Sequence, residues 1–137
     1  MKKLLILTTF LVASLFSYSQ FYLGYSEASV RRQIQQQTNG NAFVVSSTYN
    51  GNRKALQWVQ EMGNSIVYFN DQNISVLHAI LIHKHIALKS VIEVLNENYV
   101  QITDTEWKAY IGSSIYEVTL QYNELKKQHV LFFAFSK

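Results

Sequence analysis

The apolar and polar positions of this chain follow two different periods, and the places where the period changes mark its elements. Val30 and Ile34 lie four apart among Arg31, Arg32, Gln33 and Gln35 to Gln37, which predicts a short helix with a narrow apolar stripe. Ser26 suits its N-cap and Glu27 the positive end of its dipole, and Thr38-Asn39-Gly40-Asn41 supplies a stop. Strand-like runs follow. Phe43, Val45 and Tyr49 alternate with Val44, Ser46 and Thr48, and Asn50-Gly51-Asn52 then offers a hairpin turn. Leu56, Trp58 and Met62 alternate less cleanly with Gln57, Gln60 and Glu61 as far as Gly63-Asn64, and Ile66 to Phe69 closes at Asn70-Asp71-Gln72-Asn73. Ile74 to Ile82 is apolar on both parities, as a strand covered on both faces would be.

The helical period returns with Leu88, Val91, Ile92, Leu95 and Tyr99, while Lys89, Glu93, Asn96 and Glu97 fall on the other side. Period two then resumes in Val100 to Thr103 and in Glu106 to Ile111, about a turn at Asp104-Thr105. It continues in Ile115 to Tyr122, and His129 to Phe135 closes the chain as a nearly continuous apolar strand that could lie at a sheet edge and pair with a second copy. The order of elements predicts an α+β fold, two short helices packed on one face of an antiparallel sheet. Ser29-Val30 opens one helix core and Ser90-Val91 the other, and each helix precedes a strand containing Trp, Trp58 or Trp107. An internal duplication, with halves 20–84 and 85–137, accounts for that order.

The opening stretch reads differently. Met1-Lys2-Lys3 is cationic, Leu4 to Phe16 carries no charge, and Ser17-Tyr18-Ser19 has the small-residue spacing of a cleavage site before Gln20. The apolar run falls short of the ~18–20 residues that a spanning helix needs. Residues 1–19 therefore read as a signal peptide and 20–137 as one exported domain, periplasmic or secreted, with no transmembrane span once the leader is removed.

Composition narrows the chemistry. The chain has no cysteine, so disulfides, thiol catalysis, Cys-ligated metals and a lipid-bearing Cys are all excluded. It also has no proline and is rich in Tyr and Phe, which argues for a packed core and against disorder. Lys2 and Lys3 lie in the leader, so of twelve Lys and Arg the domain keeps ten against nine Asp and Glu. That balance leaves no basic stripe for nucleic acid.

Leu23-Gly24-Tyr25-Ser26-Glu27, with Val30 one turn on, resembles the start of small exported envelope proteins of Gram-negative bacteria. Ile66-Val67-Tyr68-Phe69-Asn70-Asp71 looks like a strand end common in their meanders. The repeated helix-plus-strands order is similar to the beta-lactamase-inhibitor-like architecture, shared by inhibitory proteins and outer-membrane assembly lipoproteins. The chain departs from the lipoproteins in having no anchoring Cys and from the inhibitors in having no disulfide.

Four histidines are candidate ligands, but strand periodicity puts His78 on the face opposite His83. His83 and His85 can share a side at the strand end, and His129 joins them only if its strand is adjacent. Otherwise they make a solvated strand-end pair with one core histidine. Glu93 and Glu97 fit a solvated helix face as well as an acid/base pair. Asp104 and Glu106 beside Trp107 suit a sugar site or an ordinary turn, and Asn73-Ile74-Ser75 matches a glycosylation acceptor. No nucleophile elbow, phosphate loop or metalloprotease signature occurs, and no cofactor is implied.

The surplus of Tyr and Trp suggests a binding face, for which Trp58, Tyr68, Trp107 and Tyr110 are the candidates. The expectation is a non-catalytic binding module of the cell envelope that recognises a protein, peptide or glycan. The alternative is an extracytoplasmic hydrolase or hydrolase inhibitor, with Asp104, Glu106 or His83 near its cleft.

Overall fold

The computed structural model describes residues 22–137, so the leader reading of residues 1–19 lies outside it. The described chain is α+β, with two helices and one antiparallel sheet of eight strands. Helix α1 spans Glu27–Gln37 and is followed by β1 (Val45–Tyr49), β2 (Arg53–Val59), β3 (Gly63–Phe69) and β4 (Ser75–Ile82). Helix α2 spans Leu88–Asn98 and precedes β5 (Val100–Thr103), β6 (Glu106–Ile111), β7 (Ser114–Asn123) and β8 (Gln128–Phe135).

Helix α1 forms where the sequence puts its signals. Ser26 Oγ accepts from Ser29 N at 3.3 Å, and Val30 and Ile34 are fully buried. At the other end Thr38 N donates to Ile34 O at 3.0 Å, and Gly40, at φ +77, donates to Gln35 O at 2.8 Å. The β1–β2 hairpin turns on Asn50 and Gly51, both at positive φ, with Asn52 completing a three-residue connection between the paired Tyr49 and Arg53.

The strand order is β1-β2-β3-β4-β8-β7-β6-β5. Each half is one helix followed by a four-strand meander, and the last strands of the two halves, β4 and β8, pair at the centre. This corrects one expectation. The apolar strand His129 to Phe135 is interior, hydrogen-bonded to β4 on one side and β7 on the other, so it cannot pair with a second copy. The sheet edges are β1 and β5.

Register assigns the two faces. The row Leu56, Val67, His78, Phe133, Val118, Trp107 crosses six strands on one side of the sheet. Helix α1 packs Val30 and Ile34 against Leu56, Trp58, Val67 and Phe69 on that side. Helix α2 packs Val91, Val94 and Leu95 there too, against Ile80, Trp107, Val118 and Leu131. Both helices thus cover one face, as their apolar stripes require. His78 lies at the boundary between the two cores, stacked on Trp58 with ring centroids 5.8 Å apart and tilted against Phe133 at 5.6 Å.

Gly63 has a role its sequence context does not suggest. It is the first residue of β3, and a Cβ there would overlap the Leu81 carbonyl oxygen of β4. Strands β3 and β4 approach this closely only because the residue has no side chain.

Candidate functional site

Two regions concentrate the residues with functional potential: the sheet face away from the helices, and a small cavity at one end of the β4–β8 seam.

The face that no described helix covers, the uncovered face, is built by strand alternation. One of its rows runs Ala55, Tyr68, Leu77, Ala134, Glu117, Lys108 and Val100. The next runs Gln57, Ile66, Ala79, Phe132, Thr119 and Glu106. The third begins at Val59 and passes through Asn64, Leu81 and Val130 to Gln121. The apolar members collect over β3, β4 and β8, while Glu106, Lys108, Glu117, Thr119 and Gln121 make the β6–β7 side polar. Ala79 and Val130 are buried although no described element lies over them, because the larger Ile66, Tyr68 and Phe132 pack around them. The result is an apolar strip with a half-buried aromatic and aliphatic rim, flanked by Val59, which is 70% exposed. Burial raises the Tyr68 hydroxyl above the ordinary tyrosine range, and the ring stands edge-on to Tyr49 at 5.0 Å.

The four aromatic candidates do not share a surface. Trp58 is 2% exposed and Trp107 1%, both inside the helix-covered core. Trp107 donates its indole N–H to Asn96 Oδ1 at 2.7 Å, which ties β6 to α2. Tyr68 and Tyr110 are on the uncovered face, Tyr68 half-buried in the strip and Tyr110 59% exposed near the β5 edge. The residues that sequence reasoning missed are Ile66, Leu77, Phe132 and Val130. Their parity is visible in the sequence, but which parity the helices cover is not.

The cavity is an open pocket of about 190 Å³ at the end of β4, between the loop leading into α2 and the β7–β8 turn. His83 and His129 both line it. The condition set for His129, an adjacent strand, is therefore met. His85 stacks on His83 with ring centroids 5.4 Å apart and is itself exposed. Among the described residues no three His, Asp or Glu side chains are grouped to hold a metal ion. His78 is a core residue, 4% exposed, with Nε2 3.4 Å from Ser65 Oγ.

The carboxylates are dispersed. Glu93 is on the outer face of α2 beside Lys89 at 3.9 Å, and Glu97 is exposed. Glu106 pairs with Thr119 of β7, and Thr105 O accepts from Leu120 N. That turn is three strand positions from β4, about 14 Å at ordinary strand spacing, so Asp104 and Glu106 do not meet His83 in one cleft. Asn73, the glycosylation candidate, sits at φ +61 in the β3–β4 turn. No described helix is long and apolar enough to cross a membrane.

Comparison of the chain with protein families, with curated proteins and with solved structures finds no match.

Proposed function

We propose that this protein is an exported, non-catalytic binding module of the cell envelope, and that the uncovered sheet face is where it takes a protein partner. The observation that supports this reading is the apolar strip on that face, the half-buried Ile66, Tyr68, Leu77 and Phe132 around the buried Ala79, Leu81 and Val130, with a polar margin on β6 and β7. An apolar centre with a polar margin is how protein interfaces are built. Contiguous apolar patches of this kind mark interaction sites on soluble domains. A glycan is the weaker occupant, because both tryptophans are core residues and the strip is mainly aliphatic.

Export rests on the leader pattern of residues 1–19 and on the absence of cysteine, which suits a domain that must fold without a reducing environment or disulfides. The resemblance to beta-lactamase-inhibitor-like envelope proteins belongs to the same reading. It is supported by the repeated helix-plus-four-strand order and by the helices sharing one side of a single sheet.

The test is affinity capture from native envelopes with the purified protein and with an Ile66→Ser, Phe132→Ser double variant. The expected outcome is one protein retained by the wild type and lost by the variant at unchanged thermal stability. Equal retention by both would remove the sheet face from the account.

A further inference from the structure

The cavity at the end of the β4–β8 seam is chemically separate from the uncovered sheet face. Ile82, Ile86 and Leu88 give it an apolar floor. Around its mouth stand His83, Lys84, Lys127 and His129, with Tyr122 and Gln128 completing the wall. Four basic side chains come from two separate segments, 83–84 and 127–129, and no Asp or Glu lines the space.

Among the described residues neither Lys84 nor Lys127 forms an ion pair, as is also true of Arg32, Lys108, Lys126 and Lys137. The nearest acid in the β7–β8 turn, Glu124, is exposed and does not line the cavity. Lys84 and Lys127 both line the cavity with no carboxylate beside them there, so an anion bound in it gains attraction from both charges.

The wall is fixed rather than loose. Gln128 Nε2 donates to Ile82 O at 3.2 Å and bridges β8 to the end of β4. The His83 Nε2 hydrogen is committed to Gln60 O at 3.0 Å, since a carbonyl can only accept. The His129 ring meets Tyr122 edge-on at 5.0 Å across the β7–β8 pair. Lys127 is held at φ +51, a left-handed conformation that Gly or Asn adopts at less cost. Helix α2 starts at the same wall with Ala87 as its N-cap, and no side chain caps its first-turn N–H groups. That positive helix end adds to the field of the lysines.

We infer that this cavity binds a small organic anion, a carboxylate carried on a short apolar body, with the head between Lys84 and Lys127 and the body on Ile82, Ile86 and Leu88. The volume of about 190 Å³ limits the body to a few carbon atoms, below the range of drug-sized sites. Lysine ammonium groups supply charge-assisted hydrogen bonds to the head, and the apolar floor discriminates against a bare inorganic anion.

The test is NMR titration of the purified protein with three probes: hexanoate, hexanol and inorganic phosphate. Hexanoate should saturate shifts of the His83 and His129 rings together with the Ile82 and Leu88 methyls. Hexanol, which has no charge, and phosphate, which has no apolar body, should each bind at least about tenfold more weakly, the size of a single lost strong contact. A Lys84→Gln, Lys127→Gln double variant should weaken hexanoate at least about tenfold at unchanged melting temperature. Hexanol or phosphate binding as tightly as hexanoate would overturn the inference. So would the absence of any saturable shift with hexanoate, or full affinity in the double variant.

Discussion

Asn96 and Trp107 are joined by a 2.7 Å hydrogen bond that runs from a strand buried under α2 to the exposed side of that helix. The pair shows why Trp107 is not part of a recognition surface. Its ring fills the core beside Val91 and Leu95, and its one polar atom is satisfied by a residue that helical periodicity places outside. Truncation at Asn96→Ala exposes the indole N–H to water, which partly replaces the lost partner, so the expected cost is about 1 kcal/mol. Trp107→Ala removes the ring itself and should cost roughly 3–5 kcal/mol. Urea unfolding of both variants checks the order, and equal costs would contradict it.

Gly63 and Gly40 make opposite demands on a substituting alanine. At Gly63 the added methyl meets the backbone of β4, which cannot move without parting β3 from β4, so Gly63→Ala should cost roughly 3 kcal/mol. At Gly40 nothing lies within 4 Å and only the positive φ resists, so Gly40→Ala should cost about 1 kcal/mol. Thermal melting of the two variants side by side measures the difference. A Gly63→Ala protein as stable as Gly40→Ala would mean the two strands are not that close.

Alkaline stability should depend on Tyr99. Burial pushes its hydroxyl well above the ordinary tyrosine range, which means the folded state holds the neutral form. Below the unfolded value of about 10 both states are protonated and the group contributes no pH dependence. Above it only the unfolded state releases the proton, so stability falls as pH rises. Tyr68, raised by the same cause and by the nearby Tyr49, adds to the loss. Melting temperatures should therefore drop above about pH 10, and drop less steeply in Tyr99→Phe. Parallel profiles for the two proteins would contradict this.

The leader reading has a direct check of its own. The intact mass of the protein recovered from the envelope or medium should correspond to a chain beginning at Gln20. A mass retaining Met1 or the apolar run would contradict export by cleavage.

Much of this fold could be read from local pattern, because each helix and hairpin is specified by residues close in sequence. Val30 with Ile34, Val91 with Leu95, and Asn50-Gly51 each carry their own signal. What stayed hidden depends on pairing between distant segments. The order β4-β8 at the centre is set by contacts about fifty residues apart, and it moved the last strand from an expected edge to the interior. The same pairing brings His129 to the cavity lined by His83. The tryptophans were assigned by residue type, whereas parity held the answer: Trp58 shares its side with Leu56, and Trp107 with Ala109. Gly63 read as a turn because glycine signals turns and close approaches alike.

The central claim is that recognition belongs to the uncovered face rather than to the helices, and a photo-crosslinking amino acid placed at single positions in living cells tests it most directly. Positions Val59 and Phe132 face outward from the strip, and Lys89 lies on the outer side of α2. The account predicts one discrete protein adduct from Val59 and from Phe132, and none from Lys89. Adducts from Lys89 alone, or no adduct from either sheet position, would contradict it.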